Sequence, residues 1–324
     1  MTTIDPPPTS LPTPEPATGT GQDLVLAIDV GGTDLKSALA DPAGALIDIR
    51  RTATPASSGV PGESIVERSA ALLAEYRGAW PTKNIAAIGL IAPGLVDEVN
   101  GVGIYSANLG WRDFPFADRL RRATGLPVSY AHDVGAAGDA EMRFGAARGL
   151  GDVVVMIVGT GIAGAVFCDG KRVLGGGYAG ELGHAQVPGG LDCTCGLRGC
   201  LETIGSAGAI ARRYTELSGQ AVPGAREVFA AAAAGDPVGR RVIDDAITAL
   251  AFSIAQLVAI LGTEAVVIGG GLTQAGDALL DPLRLQVKQN LSFHRHPVLL
   301  AAQMGQDAGL IGAALRARDL LDAP

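Results

Sequence analysis

Apolar stretches separated by glycine-rich turns are the dominant pattern of this chain. Residues 23–41 contain an apolar strand, a Gly-Gly turn and a second strand, and residues 42–44 add a hairpin signal. Residues 152–170 repeat the same order, from apolar strand through a glycine and threonine turn to a second strand and an Asp-containing turn. The copies lie about half a chain length apart, which indicates a duplicated domain.

The segments between these hairpins have the period of amphipathic helices. The predicted helices cover residues 64–76, 116–124, 207–217, 225–234, 237–261 and 308–321. A further apolar strand, at residues 266–268, ends in three glycines. Strands and helices of this kind predict an α/β protein.

Composition supports that class and adds a domain count. Of 324 residues, 48% are hydrophobic and only 4% aromatic, and 46 are glycine. These values are typical of a compact α/β protein with tight turns, and the length suggests two domains of about 150 residues each. Residues 1–21 are rich in Pro and Thr, so we expect a disordered tail there and not a signal peptide.

The charge balance and hydropathy exclude some partners. A net charge of −8 disfavours nucleic acid as the main partner, because phosphate backbones bind basic surfaces. No run of eighteen apolar residues occurs, so we expect no membrane partner. With few cysteines, clustered as for a metal, the expected location is the cytoplasm.

Three of the four cysteines fall within eight residues, just after a histidine. Cys193, Cys195 and Cys200, with His184 as the fourth ligand, have the spacing of a closed Cys3His zinc site, and such sites are normally structural. The alternative is a disulfide or buried, unreactive thiols. Three cysteines would leave one unpaired, and no secretory context requires disulfides.

Two carboxylates flank these ligands. Glu181 lies three residues before His184, and Glu202 lies two residues after Cys200, so a metal would also fix both acids. Carboxylates held near an imidazole can accept hydrogen bonds from adjacent hydroxyls of a polyol. Solvated surface glutamates are the alternative.

The glycine turns are candidate phosphate sites, because bare backbone lets N–H groups approach an anion. Asp29, at the end of the first strand, could meet a metal ion or its water shell. Two facing hairpins of this kind would suit a nucleoside triphosphate, whereas a single one is equally an ordinary turn. The predicted cofactor-binding residues are Asp29, Gly31, Gly32, Thr33, Lys36, Gly159, Thr160, Gly161, Gly269, Gly270 and Gly271.

The chain resembles the ROK family of sugar kinases and related repressors, within the actin-like ATPase superfamily. The resemblance runs from about residue 23 to the C-terminus. It is carried by four ordered motifs, at residues 29–33, 159–161, 180–184 and 193–202.

The resemblance implies a two-domain actin-like ATPase fold of the ribonuclease H-like type, with a structural zinc loop. The expected domains are residues 22–142 and the larger 143–307, which holds the zinc. The C-terminal helix, at about residues 308–324, would return to the first domain. Homodimers are common in the family, and we expect one here.

Catalytic and sugar-binding roles also follow from the resemblance. Asp133 would be the general base that takes the proton from the sugar hydroxyl, although it could also be a helix N-cap. His184 would bind zinc through one ring nitrogen and the sugar through the other. The implied substrate-binding residues are Asn108, His132, Asp133, Glu181, His184 and Glu202.

The chain departs from the family at the catalytic motif. His132 stands where the partner of the base is usually Asn, and residues 134–136 read Val-Gly-Ala in place of the usual Asn-Ala-Ala. Histidine is larger and titratable, so we expect a reshaped sugar pocket.

The resulting hypothesis is a hexose kinase using ATP with Mg²⁺, with glucose 6-phosphorylation as the leading reaction. Kinases for N-acetylmannosamine, N-acetylglucosamine, fructose or allose are alternatives. Two other classes are a sugar-sensing regulator, which we do not expect because such regulators carry an N-terminal DNA-binding domain, and a catalytically silent sugar-binding protein.

Overall fold

The computed structural model of the protein describes residues 23–56 and 59–322. The tail expected at residues 1–21 lies outside the described residues. Two five-stranded sheets, each with helices packed against it, account for most of this part of the chain.

The first five-stranded sheet is built from the first 132 residues. The elements, in order, are β1 (Leu24–Val30), β2 (Asp34–Ala40), β3 (Leu46–Ala53), α1 (Pro61–Ala79), β4 (Ile85–Ala92), β5 (Leu95–Asp97), β6 (Val102–Tyr105), β7 (Arg112–Phe114), α2 (Phe116–Thr124), β8 (Val128–His132) and α3 (Asp133–Phe144). The strand order is β3-β2-β1-β4-β8, while β5, β6 and β7 form a small separate sheet.

The second sheet follows α3. Its half of the chain contains β9 (Val153–Val158), β10 (Ile162–Cys168), β11 (Lys171–Arg172), α4 (Glu202–Gly205), α5 (Ala207–Ser218), α6 (Ala225–Ala233), α7 (Pro237–Leu261), β12 (Ala265–Gly269), α8 (Asp277–Gln289), β13 (Val298–Ala301) and α9 (Ala308–Asp322). The strand order is β11-β10-β9-β12-β13.

The two sheets have one topology. In each, three consecutive strands pair antiparallel, the first of them pairs in parallel with a fourth strand, and that fourth strand pairs in parallel with a fifth. The strands β1, β2, β3, β4 and β8 correspond in order to β9, β10, β11, β12 and β13. This confirms the internal repeat predicted from the two glycine hairpins.

The helices lie where the apolar period predicts them. α2 and α7 have the predicted bounds, and α1 begins three residues earlier than predicted because Pro61 can occupy the first helical position. Among the described residues, α7 is the one helix long and apolar enough to cross a membrane, and 56% of its most apolar stretch is buried. It is a core helix of the second half, because its apolar face packs beneath the second sheet.

Helix α9 packs against the first sheet through small residues. Leu310, Ala313 and Ala317 share a core with strands β1 and β4. The approach is close enough that a methyl group on Gly89 would overlap the Ala313 carbonyl, and one on Gly312 would overlap the Ala136 carbonyl. Glycine at both positions therefore lets α9 lie directly on β4 and α3.

The buried carboxylate of Glu141 joins the two chain segments that cross between the halves. It accepts hydrogen bonds from the N–H groups of Ala146, Gln303 and Met304, each at 2.8 Å. Only 1% of the residue is exposed. A carboxylate with three backbone donors is well satisfied, so Glu141 fixes both crossings at one point.

Candidate active site

The turn between β1 and β2 leaves one glycine open. The Gly31 N–H donates to the Asp34 carbonyl at 2.9 Å, whereas a Cβ on Gly32 would meet no atom within 4 Å. Thr54 supports the turn from β3, because its hydroxyl donates to the Gly31 carbonyl at 2.7 Å and its N–H to the Thr33 carbonyl at 2.8 Å. Sequence reasoning missed Thr54, whose role depends on a strand pairing and not on a motif.

Two carboxylates meet at the edge of the first sheet. Strands β1 and β8 flank β4 and run parallel to it, so Asp29 and Asp133 lie at the same carboxyl edge of the sheet. Two strand spacings separate β1 from β8, which is about 10 Å. Burial, and next the charge of Asp133, raise the pKa of Asp29 to about 6. Lys36 pairs with Asp29 in register and donates from Nζ to the Gln306 carbonyl at 3.3 Å.

Helix α3 begins at the motif that was predicted to be catalytic, residues 132–133. His132 is the N-cap, and its Nδ1 accepts a hydrogen bond from the Gly135 N–H at 3.3 Å. Asp133 is therefore the first helical residue and not the cap, which settles the alternative role considered for it. Its Oδ1 accepts from the Val134 N–H at 2.6 Å, and 34% of its side chain is exposed. Because Nδ1 is an acceptor, a neutral His132 carries its proton on Nε2.

Glu98, which no motif indicated, lies behind this helix start. Its Oε1 accepts a hydrogen bond from the His132 N–H at 3.1 Å. Burial raises the pKa of this carboxyl group. In the sequence Glu98 belongs to a polar turn between β5 and β6, where a carboxylate is unremarkable.

The turn between β9 and β10 repeats the open backbone of the first. The Gly159 N–H donates to the Gly161 carbonyl at 2.9 Å, and a Cβ on Gly159 would meet nothing within 4 Å. Thr160 is exposed at the tip. A Cβ on Gly208, in the first turn of α5, would lie 2.8 Å from the Thr160 carbonyl, so this helix backs the turn closely.

Glu202 is attached to this second turn. Its Oε2 accepts a hydrogen bond from the Ile162 N–H at 2.9 Å, and a methyl group on Gly161 would overlap the carboxylate. Gly161 therefore makes room for Glu202, and the carboxylate connects the hairpin to the cysteine loop.

The third glycine run, residues 269–271, contains two closely packed glycines and one with open space beside it. A Cβ on Gly269 would lie 2.6 Å from the Ile157 side chain, and one on Gly270 would lie 2.5 Å from the Val158 carbonyl. Gly270 also has φ of 86°, in the left-handed region. Gly271 has no such neighbour within 4 Å. Packing thus accounts for glycine at Gly269 and Gly270, while the space beside Gly271 is open.

Asn108 faces the first turn across a cavity. It lies in the loop between β6 and β7, which a hydrogen bond from the Gly110 N–H to the Ser106 carbonyl closes at 2.8 Å. A cavity of about 470 Å³ is lined by Asn108 together with Gly32 and Thr54.

Glu181 faces His132. The loop that carries it packs on β10, where the Gly164 N–H donates to the Gly180 carbonyl at 2.7 Å. Gly180 has φ of 99°, and a methyl group there would overlap the Gly164 carbonyl. Glu181 and His132 line one small cavity.

The cysteine loop has the geometry of a tetrahedral metal site. One ligand atom from each of His184, Cys193, Cys195 and Cys200 lies within 4.8 Å of all the others. His184 Nδ1 is 3.7 Å from Cys193 Sγ, and Cys195 Sγ is 3.6 Å from Cys200 Sγ. Ligands on one zinc ion, each about 2.0–2.3 Å from it, are separated by similar distances. All four cysteines are free, so the disulfide alternative is not observed.

These parts together can bind a polyphosphate and a polyol. Three turns each leave one glycine open, at Gly32, Gly159 and Gly271, and carboxylates lie at the adjoining sheet edge. Backbone N–H groups, a strand-end carboxylate and a polar cleft are the components of a phosphotransferase. Fold and site define the actin-like class of sugar kinases.

Comparison with known proteins gives the family. The ROK family model matches residues 25–319, and the chain belongs to the ROK family. A glucokinase of Halalkalibacterium halodurans is 37% identical over 311 residues, covering 89% of this chain and 92% of that protein. An N-acetylmannosamine kinase of Shigella flexneri is 36% identical over 301 residues, covering 91% and 98%.

A solved structure of a similar protein contains a sugar and a nucleotide. The ROK family glucokinase of Streptomyces griseus in complex with glucose and AMPPNP has a TM-score of 0.74 and 32% identity to this chain. The match covers 91% of this chain and 99% of that one.

Proposed function

We propose that this protein is an ATP-dependent glucokinase that converts glucose to glucose 6-phosphate. The observation that carries the proposal is the position of Asp133, which lies at the same sheet edge as Asp29, below the first glycine turn. The glucokinase relatives support glucose as the sugar, and the neighbour with glucose and AMPPNP supports ATP as the donor.

Asp133 is the general base of this reaction. It accepts the proton of the glucose 6-hydroxyl as that oxygen attacks the γ-phosphorus, and the bond from phosphorus to the bridging oxygen breaks to leave ADP. The exposure of its side chain and its place at a helix start give it access to a bound sugar. Such a base contributes mainly by orienting the hydroxyl, because phosphoryl transfer depends on positioning and electrostatics.

The phosphates lie along the open turns. The backbone at Gly32, Gly159 and Gly271 has open space beside it, so a phosphate can approach the nearby N–H groups without meeting a side chain, and Thr33 and Thr160 add hydroxyls. Asp29, with its pKa of about 6, is charged at neutral pH and would hold the water shell of Mg²⁺. The ion supplies charge neutralisation for the transferring phosphoryl group.

The sugar is held by groups from both halves. Asn108, His132 and Glu181 line cavities beside the first turn and the helix start. Glu202 uses one oxygen for the Ile162 N–H, which leaves the other for a hydroxyl. His184 turns Nδ1 toward the sulfurs, which leaves Nε2 for the sugar. Zinc at this loop would hold His184 and fix the neighbouring acids without taking part in the reaction.

The two sheets belong, in this proposal, to two domains divided near residue 142. They close on the sugar, which excludes water and limits ATP hydrolysis. The Glu141 carboxylate, which binds both crossing segments, is suited to be their hinge point.

N-acetylmannosamine is the second candidate substrate, because the kinase of that sugar is as similar to this chain as the glucokinase is. An ADP-release assay with ATP, magnesium, and a panel of hexoses and N-acetylhexosamines separates the two. Turnover with glucose at least tenfold above every other sugar supports the proposal. Preference for an N-acetylhexosamine replaces the substrate, and no turnover on any sugar refutes the kinase.

A further inference from the structure

A cluster of four charged side chains lies directly behind the catalytic motif. Glu98 contacts two guanidinium groups through Oε2, that of Arg172 and, at 2.5 Å, that of Arg316. Asp139 completes the cluster, since its Oδ2 accepts from Arg316 Nε at 3.0 Å and its Oδ1 lies 3.7 Å from Arg172 Nε. The side chains of Glu98 and Arg172 are only 6% and 8% exposed.

The cluster connects the two halves of the molecule. Glu98 and Asp139 belong to the half that holds the first sheet, and α9, which carries Arg316, packs on that sheet. Arg172 is at the end of β11, at the edge of the second sheet. It is therefore the member that reaches from the second half to the catalytic motif.

Glu98 transmits this contact to the catalytic residues. Its other oxygen, Oε1, accepts the His132 N–H at 3.1 Å. His132 caps α3, and the next residue is Asp133. A shift of Glu98 would thus move the peptide that sets the direction of the Asp133 side chain.

Gly135 is explained by the same cluster. A methyl group on Gly135 would overlap Arg172 Nη1 and would lie 3.3 Å from Glu98 Oε1. The residue is in the first turn of α3 and has no positive φ, so the helix itself does not require glycine there. The Arg172 guanidinium occupies the space that any side chain at this position would need.

Stability alone is a poor reason for such a cluster. Burying four charges costs desolvation free energy that their mutual attraction only partly returns, and apolar side chains of similar volume often replace them without loss. Burial raises the pKa of Glu98 and, to about 6, that of Asp139, which reflects this cost. The cluster also borders the cavity shared by His132 and Glu181.

We propose that Arg172 is a positioning residue for phosphoryl transfer, holding Glu98 and through it the His132–Asp133 turn from the opposite half of the molecule. Gly135 is the residue that admits its guanidinium. The effect on turnover rests on the proposed kinase function, whereas the effect on His132 geometry does not.

The test compares Arg172→Leu with a matched control, Arg213→Leu. Arg213 is also largely buried and binds a carboxylate, Asp245, at 2.6 Å, but both lie in the second half and do not connect it to the catalytic motif. We expect Arg172→Leu to lower kcat at least tenfold with the KM for ATP within twofold of wild type. Arg213→Leu should leave kcat within twofold, at a similar loss of melting temperature.

Gly135 provides a second, independent arm. Gly135→Ala should lower kcat in the wild-type background because the methyl group displaces Arg172. In the Arg172→Leu background, the same substitution should cause no further loss. Effects that multiply would mean that Gly135 does not serve Arg172, and unchanged kcat in both single variants would overturn the proposal.

One further readout and one further variant keep the test decisive if the protein phosphorylates no sugar or if Arg172→Leu does not fold. The imidazole NMR signals of His132, assigned among four histidines with His132→Gln, should move in Arg172→Leu and not in Arg213→Leu, whether or not the protein phosphorylates any sugar. If Arg172→Leu fails to fold, Glu98→Gln carries the same prediction, since it keeps the acceptor for the His132 N–H but loses the charge that holds Arg172. Unmoved His132 signals in the folded variants would refute the positioning role.

Discussion

The β1–β2 and β9–β10 hairpins occupy equivalent places in two sheets of one topology, but they carry different side chains. The first hairpin pairs Asp29 with Lys36 two positions from its turn. The second pairs Ile157 with Ala163 at the corresponding positions. The duplicated scaffold has therefore kept its open turns and concentrated charge on one side.

The elements beyond the hairpins continue this division. In the first sheet, β8 leads into His132 and Asp133 at the start of α3. In the second, the corresponding strand β13 leads to α9 through residues 302–307, and its neighbour β12 leads into glycines, of which Gly271 is open. In the proposed function, the first half thus supplies the acid–base and metal-facing groups, and the second supplies bare backbone and the cysteine loop.

The largest expected effect is at Asp133. Asp133→Asn removes the base while keeping size and hydrogen-bonding shape, so turnover should fall by about 10²–10⁴-fold. Glucose affinity, measured by calorimetry, should stay within a few-fold. Asp169→Asn, in the exposed turn after β10, is the control and should leave turnover unchanged. Full activity in Asp133→Asn would remove the chemical distinction between the halves.

Asp29 should show opposite effects on turnover and stability. The pKa of Asp29 is raised from 3.8 to about 6, so the folded protein holds this proton more tightly than the unfolded chain does. At a pH where Asp29 is charged, its ionisation lowers the free energy of unfolding by up to about 3 kcal/mol. This cost is absent below pH 3.8 and complete above about pH 6. Asp29→Asn should raise the melting temperature of the ligand-free protein at pH 7.5 while turnover falls by about 100-fold.

The control for Asp29→Asn is the same comparison with wild type at low pH. Near pH 4 both proteins carry a largely neutral group at this position, so their melting temperatures should converge. Wild-type turnover should also decline as the pH falls through about 6, because the carboxylate loses its charge. Equal melting temperatures at pH 7.5 would contradict the buried, charged state assigned to Asp29.

The cysteine loop should respond to loss of one ligand. Cys200→Ser should release bound zinc and raise the KM for glucose about tenfold, because His184 and the flanking carboxylates would lose their support. The effect on kcat should be smaller. Metal content is measured by atomic emission, and Cys168→Ser is the matched control, since Cys168 lies outside the cluster. Zinc retained by Cys200→Ser would exclude the Cys3His set.

Sequence motifs and the apolar period predicted the features that depend on neighbouring residues in the chain. The repeated hairpins predicted the duplicated sheets, and cysteine spacing predicted a cluster that the fold assembles. The apolar period also gave the bounds of α7, where the structure shows the Asp236 side chain capping the helix by accepting the Val238 N–H.

Contacts between distant segments were not predictable in this way. Glu98 and Arg172 are 74 residues apart, and each looks like an ordinary polar residue of a turn or strand edge.

The reason for each glycine in the third run was also only partly predictable from the sequence. Gly269 and Gly270 looked like ligand-binding residues, but their lack of a side chain is explained by the closeness of β9. The sequence shows where glycines lie, but only the packing shows whether a neighbouring strand leaves no room for a side chain there.

The smallest expected effect is at Gly271, whose surroundings are open, and it is compared with that of the closely packed Gly270 in the same run. Gly271→Ala adds a methyl group into open space, so stability should be unchanged while the KM for ATP rises a few-fold. Gly270→Ala forces alanine to φ of 86° and against the Val158 carbonyl at 2.5 Å, which should cost at least about 1–2 kcal/mol of unfolding free energy. Denaturant unfolding and ATP titration of both variants measure the two effects. If Gly271→Ala left the KM for ATP unchanged, the third run would be packing throughout, and the nucleotide would depend on the two hairpin turns alone.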